Sequence, residues 1–341
     1  HLFNILSEFT TMLRLIFGAD FSETYYNMIV QHVITLRDLI ESQLANDTEA
    51  MNKNLELLYL NADERASYLS QANPNWDYET YKNMINTYID YTIAEANTFT
   101  TSDYDRNVEV FDQLISHTDT MGDYFSLGIY NFIINPPIVS RSTVRRLRMN
   151  EQCITYDQMN TIYRLRIFWF DMATWTREYM ISRVSGIGSA NEAYDRLRKV
   201  PIEYGTLLKN YYDSNLVDEV VGTIYRYIDL IDDLISAYQA KNIDEINQTT
   251  RQLYQNADEA AALLSKMNPF LNQEEWRAIL YGLMSSIIEM VVSFLAKEYT
   301  RNISIFNRLL DQSELIGDNF SRGLFLYIER AIQNNRAISL S

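Results

Sequence analysis

The chain has 341 residues with 47% hydrophobic content, enough for one large packed domain or two ordinary ones. Ten Gly and five Pro are too few for the many tight turns of a sheet-rich fold, so helices are expected. A net charge of −16 excludes the basic footprint that a nucleic acid demands and disfavours acidic membranes.

The chain opens on His1, without a Met or a signal-like segment, and is expected to be processed, trimmed or incomplete. Apolar residues then recur every three or four positions, which predicts helices near 2–17, 21–45, 48–72, 77–100 and 103–133. Met51, Leu55, Leu58, Ala62 and Leu69 mark the buried face of the third. Asp47-Thr48, Asn73-Pro74 and Ser102-Asp103 supply its boundaries and the start of the last helix. Inside the third helix stands Asn61-Ala62-Asp63-Glu64. Asn and Asp are mildly unfavourable in mid-helix because their side chains compete for backbone bonds.

Asn135-Pro136-Pro137 stops the fifth helix. The linker through residue 155 carries Arg141, Arg145, Arg146 and Arg148 in an otherwise acidic protein, and also the single cysteine, Cys153. The basic stretch reads either as a solvated connection or as an arm that docks on an acidic neighbour. One cysteine allows no disulfide within the chain and no Cys-based metal cluster. Residues 156–184 form a long helical pattern with Ile162, Leu165, Phe168, Trp169, Met172 and Trp175 on a broad apolar face.

Beyond it the first half returns. Asn61 recurs as Asn256, an offset of 195 residues that runs without a gap over about 135 positions. Asp63 and Glu64 become Asp258 and Glu259, Arg106 becomes Arg301, and a Gly-Asp-x-Phe-Ser-x-Gly pattern holds Asp123 in one half and Asp318 in the other. So long a period is a duplicated domain rather than a solenoid repeat. The expected fold is all-α: two tandem homologous up-and-down bundles, residues 1–134 and 156–334, joined by the linker at 135–155. The run SSIIEMVVSFLA at 285–296 is too short to span a bilayer, contains Glu289, and is expected to be a buried helix.

The helix at 156–184 has no counterpart in the first copy. Either the native chain begins roughly 40 residues earlier, or the first bundle takes that helix from another subunit, since an open bundle would expose a large apolar groove.

Trp175-Thr176-Arg177, RLRKVPIEYGTLLKNYY at 196–212, NADEAAALLSKMNP and the Gly317–Gly323 segment together resemble a group of small helical proteins from spore-forming bacteria. Members are often labelled acetylglutamate kinase or glycosyltransferase. The resemblance implies a helical bundle, with histidines in the first, third and last helices. At those places the second copy has Met172, Tyr227 and Gln312, while the first keeps His32 and His117.

The residues do not support those labels. Gly186-Ile187-Gly188 follows a helix instead of a strand, lacks a third glycine, and reads as a helix cap rather than a phosphate cradle. No Glu-x-x-His occurs, so a dimetal carboxylate site is excluded. No catalytic set, cofactor or metal is expected, and His32 and His117 read as core or boundary histidines. The repeated Asn61, Asp63, Glu64, Asn256, Asp258 and Glu259 read as polar bridges between helices, with Arg106 and Arg301 as the expected partners, or else as a ligand pocket. Asp123 and Asp318 sit between glycines that suggest close helix packing or an aromatic-lined pocket. Seven Lys, 22 Arg and 25 Tyr suit an assembled surface protein. The function expected is a noncatalytic structural subunit that associates with itself, extracellular or at a spore or cell surface; the alternative is a soluble bundle that binds a small ligand or metal as a sensor or store, and the alternative compartment is the cytoplasm.

Overall fold

The computed structural model describes residues 2–134 and 155–339. The linker arginines Arg141, Arg145, Arg146 and Arg148 lie outside the described residues. Eleven α-helices and no strand are present among those described, so the fold is all-α.

The chain divides into two compact units, His1–Glu151 and Gln152–Ser341. Unit 1 holds α1 (Leu2–Phe17), α2 (Ala19–Leu44), α3 (Thr48–Ala72), α4 (Tyr78–Thr100) and α5 (Tyr104–Ile134). Unit 2 holds α6 (Tyr156–Ser185), α7 (Ala190–Leu208), α8 (Ser214–Ala240), α9 (Ile243–Met267), α10 (Gln273–Leu295) and α11 (Tyr299–Ser339).

The helices begin where short polar side chains can accept the first free backbone N–H groups. Asp47, Asp77, Ser189, Asp213, Asn242 and Asn272 all do so, and Thr155 with Gln158 forms a complete capping box. α1 and α2 are separated by Gly18 alone, whose φ of 94° lies in the region only glycine enters freely. Gly186 ends α6 in the left-handed conformation, as the sequence suggests.

Consecutive helices pack side by side and run antiparallel. In unit 1, Asp63 meets Lys82 while the earlier Tyr59 meets the later Asp90, and Asp77 meets Tyr124 while Met84 meets His117. In unit 2, Phe168 stacks on Tyr204, and the later Tyr179 meets the earlier Tyr194 ring at a tilt. Unit 2 closes on itself, because α6 packs against both α7 and α11. In unit 1 the terminal helices α1 and α5 meet through rings, Phe9 on Phe125 at 5.6 Å and Phe17 on Phe132 at 5.0 Å.

The core of unit 1 is aromatic, centred on Tyr25, Trp76, Tyr81 and Phe125, while that of unit 2 is richer in Ile, Leu and Met. One described helix, α10, is long and apolar enough to cross a membrane. Here it packs between α9 and α11 with Trp276, Leu283, Ile287, Met290 and Val291 buried.

Candidate functional site

The polar positions singled out in α3 and α9 divide into three kinds. Asn61 and Asn256 are buried and donate their amides across to the preceding helix, Asn61 Nδ2 to Met28 O at 3.0 Å and Asn256 Nδ2 to Thr223 O at 2.9 Å. Each is a helix clamp, since a buried amide must find a partner and the nearest is a backbone carbonyl.

Asp63 and Asp258 reach the following helix instead. Lys82 Nζ lies 2.5 Å from Asp63 Oδ1 and Tyr78 Oη donates to the same oxygen at 2.5 Å. These bonds hold the Asp63 carboxyl below the usual carboxylate range. Arg277 Nε and Tyr281 Oη both donate to Asp258 Oδ1 at 2.9 Å. The cation occupies the same relative place in both units, while the tyrosine stands one turn before Lys82 and one turn after Arg277.

Glu64 and Glu259 are exposed. Glu259 pairs with Arg226 of α8, and Glu64 takes no part in a bridge.

The expected partners of these carboxylates are corrected. Arg106 pairs with Glu109 at 2.8 Å and Arg301 with Glu298 at 3.0 Å, both near the starts of their own helices. Both arginines sit at the solvent-facing entrance to α5 and α11, and an acid three residues away is nearer than one on another helix. Neighbouring Asn107 and Asn302 do the bridging: they donate to Glu95 O at 2.9 Å and Met290 O at 2.8 Å. Sequence reasoning passed over both, although each is repeated at the same offset.

The two Gly-Asp-x-Phe-Ser-x-Gly segments behave differently. In unit 2, Arg166 of α6 grips Asp318 through two bonds, Nε to Oδ1 at 2.6 Å and Nη2 to Oδ2 at 2.8 Å. A Cβ on Gly317 would come within 2.7 Å of the Arg166 Cα, so glycine lets α6 lie close. In unit 1, Asp123 is exposed, and no described helix of that unit stands where α6 stands in unit 2. The second glycine serves both units: a Cβ on Gly128 would strike the Trp76 indole at 2.0 Å, and one on Gly323 would strike Leu271 at 2.3 Å.

Among the described residues, none covers in unit 1 the surface that α6 covers in unit 2. Leu197 and Val200 of α7 are 0% and 1% exposed, whereas Leu2 and Ile5, at the same positions of α1, are 50% and 46% exposed. Along the last helix, Ser313 is buried and bonded to the Trp169 carbonyl of α6, while Thr118 is exposed.

Beneath this surface lies a feature that the sequence did not disclose. His32 of α2 and Arg65 of α3 are 4% and 8% exposed, and both belong to the core of unit 1. Neither ring nitrogen of His32, nor Arg65 Nε, nor Asn61 Oδ1 has a hydrogen-bond partner. The Arg65 guanidinium lies 5.8 Å from the centre of the Tyr25 ring, and Tyr25 and Tyr81 share a hydroxyl contact at 3.1 Å. Burial and then the Arg65 charge push the His32 pKa down to about 3. His117 is half-buried, with Nε2 2.7 Å from Met84 O. Among the described residues, no three His, Cys, Asp or Glu side chains meet as a metal site would require.

Charge-neutral asparagine clamps and part-exposed ion pairs hold neighbouring helices in order. The Asp63 and Asp258 pairs face water, so replacing both by Asn is expected to lower the melting temperature only slightly, with helix content unchanged. A large drop read by circular dichroism would mean that these bridges carry far more stability than their exposure allows.

No protein-family model, curated protein or solved structure matches this chain.

Proposed function

We propose that the protein is a noncatalytic structural subunit that associates with copies of itself, built from two copies of one helical bundle. The helix bounds support the duplication: α3 and α9, Thr48–Ala72 and Ile243–Met267, coincide at the 195-residue offset, as do α4 and α10. The resemblance to small bundle proteins of spore-forming bacteria agrees with the same architecture, and an assembled spore or cell-surface layer is the setting its acidic, Tyr-rich composition suits.

The carrying observation is the uncovered α1/α5 face of unit 1, with Leu2 and Ile5 exposed where unit 2 buries their counterparts. Exposed apolar side chains grouped along one helix in this way mark an interaction surface. Exchange of α6 between subunits does not satisfy it, because the described residues hold one such helix for two bundles. Pairing the same face of two copies does, and an isologous contact needs only that the face be self-complementary. Arg14 of α1 and Asp123 of α5 are exposed and oppositely charged, and antiparallel pairing sets one copy's arginine against the other's carboxylate.

Light scattering coupled to gel filtration tests this. The chain is expected to sediment and scatter as a dimer that dissociates on dilution, and Ile5→Asp is expected to weaken dimerisation at least about tenfold, roughly 1.4 kcal/mol. A strictly monomeric chain would refute the reading, as would a native form in which a further helix of the same chain covers the face.

A second reading, a bundle that holds a small ligand, is favoured by the unsatisfied polar cluster around Arg65.

A further inference from the structure

Arg65 is a permanent cation in the core of unit 1. The hydroxyls of Tyr25 and Tyr81 bond its guanidinium and Tyr88 lies near, but no carboxylate is among these neighbours, and Nε stays without a partner. A buried charge is costly unless it is paired and fully hydrogen-bonded. The side chains around it are also unsatisfied. Asn61 stands one turn before Arg65 on α3, spends its amide on Met28 O and leaves Oδ1 unused. His32, on the helix that Asn61 clamps, uses neither ring nitrogen.

The inventory is specific. One positive charge is uncompensated. Arg65 Nε and one His32 nitrogen are free donors, while Asn61 Oδ1 and the other His32 nitrogen are free acceptors. The full inventory calls for one negative charge, two accepted bonds and two donated ones, and a ligand with a single hydroxyl meets all of it except one His32 nitrogen. A phosphate group brings more charge than a single arginine beside a neutral histidine can balance. We propose that Arg65, His32 and Asn61 form a binding site for a small hydroxycarboxylate, whose carboxylate pairs with Arg65 and whose hydroxyl donates to Asn61 Oδ1.

Unit 2 provides the contrast. Position by position at the 195-residue offset, Tyr227, Asn256 and Ala260 replace His32, Asn61 and Arg65, and they line an apolar cavity of about 50 Å³ together with Met172 of α6. The place is loosely filled in one copy and charged in the other, so the cation is a property of unit 1 alone. The site does not depend on self-association, since its residues all lie in the core of one unit.

The test uses the full chain with glycolate and acetate as probes. Calorimetry is expected to show one saturable glycolate site per chain, several-fold weaker acetate binding, and loss of at least about tenfold in affinity in Arg65→Met. Because removing a core arginine risks unfolding, a second measurement reads the wild-type protein: glycolate should shift the His32 ring resonances in NMR, and the His117 resonances should stay in place. The proposal is overturned if no saturable binding appears up to about 10 mM glycolate. It is overturned equally if a folded Arg65→Met chain binds as well as the wild type, or if chloride or inorganic phosphate gives the same His32 shifts.

Discussion

Trp76→Ala is expected to destabilise unit 1 by about 3 to 5 kcal/mol, the usual range for deleting a large buried aromatic side chain. Trp76 lies between α3 and α4, stacks on Phe125 at 4.4 Å, touches Phe17 at 5.4 Å, and donates its indole N–H to Phe125 O at 3.2 Å. The ring enters a slot on α5 that exists because position 128 is glycine. Removal leaves a cavity bounded by three helices that cannot all collapse inward. Gly128→Ala fills the slot from the other side and should also destabilise, despite alanine's better helix propensity of about 1 kcal/mol. Trp76→Leu, which copies Leu271 of unit 2, should be the milder change. Urea unfolding followed by circular dichroism measures all three, and a loss below about 1 kcal/mol for Trp76→Ala would contradict the packing described.

The second large effect concerns acid. Folded His32 accepts a proton only near pH 3, whereas the same residue in an unfolded chain does so near 6.5. Its contribution is therefore fully present above pH 6.5 and is lost as pH falls from 6.5 toward 3, by up to roughly 4 to 5 kcal/mol. Most carboxylates stay ionised in the upper part of that window, so a fall in stability between pH 6.5 and 5 belongs mainly to this residue. His32→Tyr, which adopts the residue found at Tyr227, should flatten the profile there. Equal acid sensitivity in the variant would show that His32 is not the group responsible.

The helices themselves were legible. Periodicity and caps placed α3 at 48–72, where it is found, and put every other end in unit 1 within two residues. Both ends of α7 and the far end of α11 were harder: α7 begins at Ala190, ahead of any counterpart position in α1, and α11 runs on to Ser339. The interhelix partners were not legible, because a repeating apolar face says which way a residue points and nothing about what stands opposite. Arg106 and Arg301 looked available and were taken up locally, whereas Lys82 and Arg277, basic in both copies, carried the true signal. Arg65 escaped notice for another reason. It follows Asp63-Glu64 in a polar turn, and its counterpart is Ala260, so comparison of the copies hid it.

The abundance of tyrosine also acquires a physical reason. Tyr59, Tyr78, Tyr179 and Tyr194 each donate to an aspartate on an adjacent helix, at 2.5 to 2.8 Å. In a chain with seven lysines, phenols tie carboxylates to neighbouring helices without adding charge, and their rings extend the core.

The different helix numbers of the two units also set how each would bear load. Among the described residues, five antiparallel helices set Leu2 and Ile134 at opposite ends of unit 1, whereas six set Tyr156 and the end of α11 at the same end of unit 2. Tension applied at Leu2 and Ile134 would then shear unit 1 along its helix axes, straining many contacts together. Unit 2 would be peeled open from one end, with α6 leaving α11 a turn at a time. Because forced unfolding is governed by the unfolding rate, the closed bundle would yield first despite its more complete packing, and the open one would act as the stiffer link.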